Sequence, residues 1–112
     1  MSELKRDYSE YLSILQKEGV SLQREGVNDV ALTPAAAHRA IAALRCSQTG
    51  IIGGEIWRKK GDRFVPTYDI WDVEKSDYLS HAEYVLASLE IAERQVQKYV
   101  DSQDDVFVTL GI

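Results

Sequence analysis

Residues 51–71 read IIGGEIWRKKGDRFVPTYDIW, and this stretch decides the fold. From Ile51 to Lys59 the heavier residues are Ile52, Ile56 and Trp57, side chains that suit a pleated, half-buried surface. Lys60-Gly61-Asp62 is a turn, and Arg63 to Trp71 reads as the returning strand of a β-hairpin. Pro66 has no N–H for a ladder, so it places the second strand at an edge or at a bulge. The run Gly50-Ile51-Ile52-Gly53-Gly54 fits neither G-x-x-x-x-G-K followed by Ser or Thr nor G-x-G-x-x-G. Glycines inside a strand mark a bulge or a close backbone approach instead.

Downstream, Tyr78, Ala82, Val85, Leu86, Leu89, Ala92, Val96, Tyr99 and Val100 keep helical spacing. They predict a long helix from Ser76 or Asp77 to about Asp101. Ser80 followed by Glu83 offers a second possible start, because that pair fits a capping box. Asp104-Asp105 is a turn, and residues 106–110 (Val-Phe-Val-Thr-Leu) form a β-prone last strand.

Upstream, Thr33-Pro34 is a sharp helix start: Thr33 caps a free N–H, and Pro34 suits a position where no N–H is needed. The Ala-rich run to Cys46 continues that helix, with Ala37, Ala40, Ile41 and Leu44 on its buried face. Residues 18–32 read as a long connection packed partly on the core. Leu4, Tyr8, Tyr11, Leu12 and Leu15 predict a first helix over residues 3–17, ended by Gly19. The expected architecture is one α+β domain over residues 1–112 in the order α-α-β-β-α-β, a small antiparallel sheet packed against the long helix.

The formal net charge is −5, and it is uneven. Residues 1–50 hold six acids and six bases, whereas residues 51–112 hold twelve acids and seven bases. An acidic half disfavours nucleic acid, whose phosphates require a basic surface, and favours a basic protein partner. No apolar run approaches the roughly 18 residues that a membrane span requires. The first seven residues lack the apolar stretch of a secretory signal, and Cys46 has no second cysteine to bridge. A cytoplasmic location is expected.

No constellation here specifies catalysis. Cys46 and His38 are eight residues apart on one helix, about 12 Å of rise, too far for a thiolate–imidazole pair. Cys46 is expected to be a small core residue. His38 and His81 lie in separate helices with no second ligand at three or four residues, which is not zinc spacing. Glu55, Asp69, Asp72 and Glu74 cluster around the hairpin with Trp57, Tyr68 and Trp71, and acids mixed with aromatics make a plausible binding face. By strand alternation, Asp69 and Trp71 share one face while Tyr68, Ile70 and Asp72 share the other. One face must therefore combine an acid with an aromatic at its surface, or bury the acid.

The block from Gly50 to Trp57, then Tyr68-Asp69-Ile70-Trp71, a helix carrying Ser88, Ala92 and Tyr99, and a short apolar last strand resemble the immunity protein 40 family of bacterial polymorphic toxin systems. The resemblance spans about residues 34–110. It departs at Ile70, where the family pattern has Asn, at Glu55, where it has Asp, and at Trp57, where it has Tyr.

The resemblance implies a cytosolic, non-enzymatic antitoxin that binds and blocks a cognate toxin domain, with no cofactor, no metal and no catalytic residue. The partner-binding residues expected from the hairpin are Glu55, Asp69, Trp71, Asp72 and Glu74, and the expected partner is a basic toxin protein. Two other readings remain open at this point. One is a small-ligand or regulatory module with a pocket beside Trp57, Tyr68 and Gly53-Gly54. The other is a hydrolase or metal enzyme using Glu55, Asp69 and Asp72.

Overall fold

A computed structural model describes residues 8–102 and 105–112. Its helices are α1 (Ser9–Glu18), α2 (Pro34–Cys46) and α3 (His81–Val100). Its strands are β1 (Val20–Ser21), β2 (Val30–Ala31), β3 (Gly53–Lys60), β4 (Arg63–Asp72) and β5 (Val106–Gly111). The α+β class and the order of the main elements are as expected. Leu4 and Asp104, each part of an expectation above, lie outside the described residues.

The main sheet has the order β4-β3-β5, antiparallel throughout. β4 is therefore an edge strand, which is where Pro66 can be tolerated. A bulge follows Pro66 directly. Glu55 pairs with Ile70 and Trp57 with Pro66, so Ile56 alone stands opposite Thr67, Tyr68 and Asp69.

One face of the sheet is covered by α2 and α3. Thr33 caps α2 as the sequence predicts, its hydroxyl accepting from the Ala36 N–H at 3.2 Å. Ala36, Ala37, Ala40, Ile41 and Leu44 are buried with Leu89, Ala92 and Val96 of α3 and with Ile56, Trp71, Val106, Val108 and Leu110 of the sheet. The alanines let α2 lie close against its neighbours.

The connection over residues 18–32 has more structure than its composition suggests. β1 and β2 pair, and between them lie a 3-10 turn, Gln23–Glu25, and a left-handed Gly26. Leu22, Ala31, Trp57 and Phe107 form a second apolar cluster there, and Phe64 meets Phe107 edge to face at 5.1 Å. The Glu25 carboxylate ties this unit to the hairpin: it accepts from Arg63 Nη2 at 2.6 Å and from the Phe64 N–H at 3.0 Å. Those bonds hold its carboxyl down at about 2.

Three expectations are corrected. α3 starts at His81, not at Ser76 or Asp77: residues 75–77 form a separate 3-10 turn, and the second expected start holds, the Ser80 hydroxyl accepting from the Glu83 N–H. The buried stripe of α3 runs through Tyr84, Val85, Ser88, Leu89, Ala92 and Val96, while Ala82, Leu86 and Val100 face solvent, as Leu12 does on α1. Cys46 is exposed, because it lies on the solvent side of α2 with Ala42 and Arg45, while Ala43 and Leu44 of the same turn are buried.

Candidate functional site

The hairpin's alternation is preserved beyond the bulge, and it separates the acidic residues into two groups. Paired residues on neighbouring strands share a face. Gly54 pairs with Trp71 and Leu110, on the side of the helices. Glu55 pairs with Ile70 and Thr109, and Gly53 with Asp72 and Gly111, on the opposite side.

Trp71 is a core residue, 6% exposed, and Gly54 makes room for it. A Cβ built on Gly54 would stand 2.3 Å from the indole Cη2 and 2.5 Å from the Thr109 carbonyl oxygen. Gly53 is similarly close to the Trp71 carbonyl oxygen, at 2.4 Å, and Gly50 to the Tyr84 ring, at 2.4 Å. The glycine-rich run is thus a set of close approaches, and its phosphate-loop look has a packing cause.

Asp69 turns towards α3. Its Oδ2 accepts from the Tyr99 hydroxyl at 2.5 Å and lies 3.8 Å from Lys98 Nζ. The acid that alternation placed beside Trp71 is thereby partly buried and satisfied. The hydrogen bond to this carboxylate, and then burial, push the Tyr99 phenol up to about 12.

Glu55 and Asp72 sit on the other face with Ile70, and Glu74 follows β4 on an exposed turn. Burial, and secondarily the neighbouring Asp29 carboxylate, push the Glu55 carboxyl above its ordinary value. The ion pairs among the described residues are Arg24–Asp62, Arg39–Glu18, Arg45–Glu93, Arg63–Glu25 and Lys98–Asp69. Glu55, Asp72 and Glu74 take part in none of them. Lys75, next in the chain to Glu74, lies instead over the Tyr84 ring at 5.4 Å. The hairpin is consequently polar along its length: Lys59, Lys60 and Arg63 stand at the turn and Glu55, Asp72 and Glu74 at the open end.

Of the five residues expected to bind a partner, Glu55, Asp72 and Glu74 come together at the open end of the sheet, whereas Asp69 and Trp71 lie behind it. The exposed large apolar residues of β4 are Tyr68, at 81%, and Ile70, at 55%. Neither belongs to the expected set. Pro66 was the signal for Tyr68, since a strand broken by a bulge re-aims the residues that follow.

This geometry weighs against both rival readings. The space over Gly54 is filled by the Trp71 indole, and Trp57 is buried in the second cluster. Asp69 faces α3 while Glu55 and Asp72 face away, so those three carboxylates do not converge. Among the described residues no group of three or more His, Cys, Asp or Glu is placed to hold a metal, and no helix is long and apolar enough to cross a membrane.

What remains is an α+β fold with a fixed scaffold and acidic residues at the open end of its sheet. The family model of immunity protein 40 matches residues 21–112, and the chain belongs to that family. The match begins before the stretch that carries the resemblance, at β1, and so includes the β1–β2 unit. No curated protein and no solved structure matches the chain.

Proposed function

We propose that this chain is a non-enzymatic antitoxin of a bacterial polymorphic toxin system, working in the cytoplasm. It binds a cognate toxin domain and neutralises it by covering the toxin's active site. Family membership supports the immunity role. The observation that carries the mechanism is the open end of the sheet, where Glu55, Asp72 and Glu74 have no cationic partner among the described residues. Such a surface fits a basic partner, draws it in by long-range attraction, and sets the orientation of docking. Asp69 and Trp71 contribute from behind, as the supports that hold β4 in place.

The test uses the purified chain and the toxin domain encoded beside it. The two should form a complex, and the toxin recovered from that complex should have an unchanged intact mass. A cleaved or modified toxin would overturn the non-enzymatic reading, and the lack of any complex would overturn the binding reading.

A further inference from the structure

Tyr68 has φ +66°, in the left-handed region that a bulky aromatic rarely adopts. The position contributes little to the core, because the side chain is 81% exposed. Glycine or asparagine would suit this backbone better and would give up little buried apolar surface. A conformation of this kind persists only where its surroundings over-determine it, and such positions concentrate at binding and catalytic sites.

The surroundings here do over-determine it. The Thr67 hydroxyl donates to the Ile56 carbonyl oxygen at 2.8 Å and accepts from the Asp69 N–H at 3.2 Å. Asp69 in turn is held by the Tyr99 hydroxyl at 2.5 Å. The residues before and after Tyr68 are thus fixed, one to β3 and the other to α3. Between them the bulge lifts Tyr68 clear of the sheet.

We propose that Tyr68 is the anchor of the toxin-binding surface, a preset aromatic side chain that inserts into an apolar cleft of the toxin rimmed by Lys or Arg. The inference rests on the antitoxin reading above. Aromatic anchors on rigid supports bind well because little freedom is lost when they dock. Ile70 continues the apolar contact two residues on, and Glu55, Asp72 and Glu74 supply the carboxylates that the cationic rim would meet. Contact is through side chains and not through an added strand, since Pro66 and the bulge spoil the outer edge of β4 for pairing.

The experiment compares wild type, Tyr68→Gly, Tyr68→Asn and Tyr68→Phe for melting temperature and for binding to the adjacent toxin domain carrying a disabled active site. Tyr68→Gly and Tyr68→Asn should melt at or above the wild-type temperature, yet bind at least about thirtyfold more weakly, which corresponds to about 2 kcal/mol. Tyr68→Phe keeps the ring and should bind within about fivefold of wild type. Stability retained while binding is lost is the outcome that a structural role cannot produce. The proposal is overturned if Tyr68→Gly binds within threefold of wild type, or if Tyr68→Gly and Tyr68→Asn both melt several degrees lower. A wild-type chain that does not bind the toxin at all removes the antitoxin reading itself, a result distinct from the other two.

Discussion

The Tyr99 hydroxyl on α3 donates a 2.5 Å hydrogen bond to Asp69 on β4, joining the longest helix to the edge strand just after its bulge. One bond thereby couples the core to the bulged part of the hairpin. Removing the hydroxyl with Tyr99→Phe takes a hydrogen bond from a partly buried carboxylate and leaves Lys98 at 3.8 Å.

Tyr99→Phe should lower stability by about 1–2 kcal/mol, the range for a hydrogen bond to a charged group at a half-exposed site. The effect depends on pH. The Tyr99 phenol is raised from 10.0 to about 12 in the folded chain, so the folded state holds this proton more tightly than the unfolded state does. Its contribution is complete below pH 10, declines as pH rises, and is lost through pH 12. Urea titrations from pH 8 upwards should show wild type losing stability across that window faster than Tyr99→Phe.

Gly54→Ala should be costly. β3 is flanked on both sides by paired strands, so the backbone cannot retreat to relieve an added Cβ that would stand 2.3 Å from the Trp71 indole. A loss of about 2–3 kcal/mol is expected from overpacking, measured by denaturant unfolding. Gly61→Ala is the control: its φ is +63° but nothing lies within 4 Å, so only the backbone penalty of about 1 kcal/mol applies.

Leu89→Ala and Leu86→Ala separate the two sides of α3. Leu89 is 1% exposed and its truncation should cost about 2–5 kcal/mol. Leu86 is 56% exposed and should cost under about 0.5 kcal/mol. Equal losses in thermal or urea unfolding would mean that α3 is rotated from the face described here.

Local signals carried much of this fold. Thr33-Pro34 started α2 where it was expected, because capping and a missing N–H are decided by adjacent residues. Pro66 pointed correctly to an edge and a bulge. The face of α3 was less legible. Tyr84 and Ser88 turn inward, and the Ser88 hydroxyl accepts from the Ile51 N–H at 3.0 Å and donates to the Val85 carbonyl oxygen at 3.0 Å. Sequence spacing alone ranked Leu86 above a serine whose value depends on a partner 37 positions away. The β1–β2 unit has two residues per strand, too short for alternation to reveal it. In the candidate site, the chemistry of Glu55, Asp72 and Glu74 was readable. Pro66 signalled a bulge near Tyr68, but which face of the hairpin would bury Trp71 was set by the packing of α2 and α3 and not by residue type.

Reversing charge at the open end should slow association with a basic toxin. Asp72→Lys and Glu74→Lys are both exposed substitutions with no ion pair to break among the described residues, so the fold should be unaffected. Their on-rates should fall about tenfold or more at low salt, and the difference from wild type should shrink as added salt screens charges beyond roughly 8 Å. Stopped-flow association at several ionic strengths checks this. On-rates that are insensitive to both salt and charge reversal would place the interface elsewhere on the chain.

Stoichiometric blockade of a toxin can be read by adding the purified chain in steps to a fixed amount of the adjacent toxin domain and measuring the toxin's own activity. Activity should fall linearly to zero near one chain per toxin and return in full when the complex is separated under denaturing conditions and the toxin refolded. Activity that persists at large excess, or inhibition by far less than one equivalent that survives the separation, would contradict such a blockade.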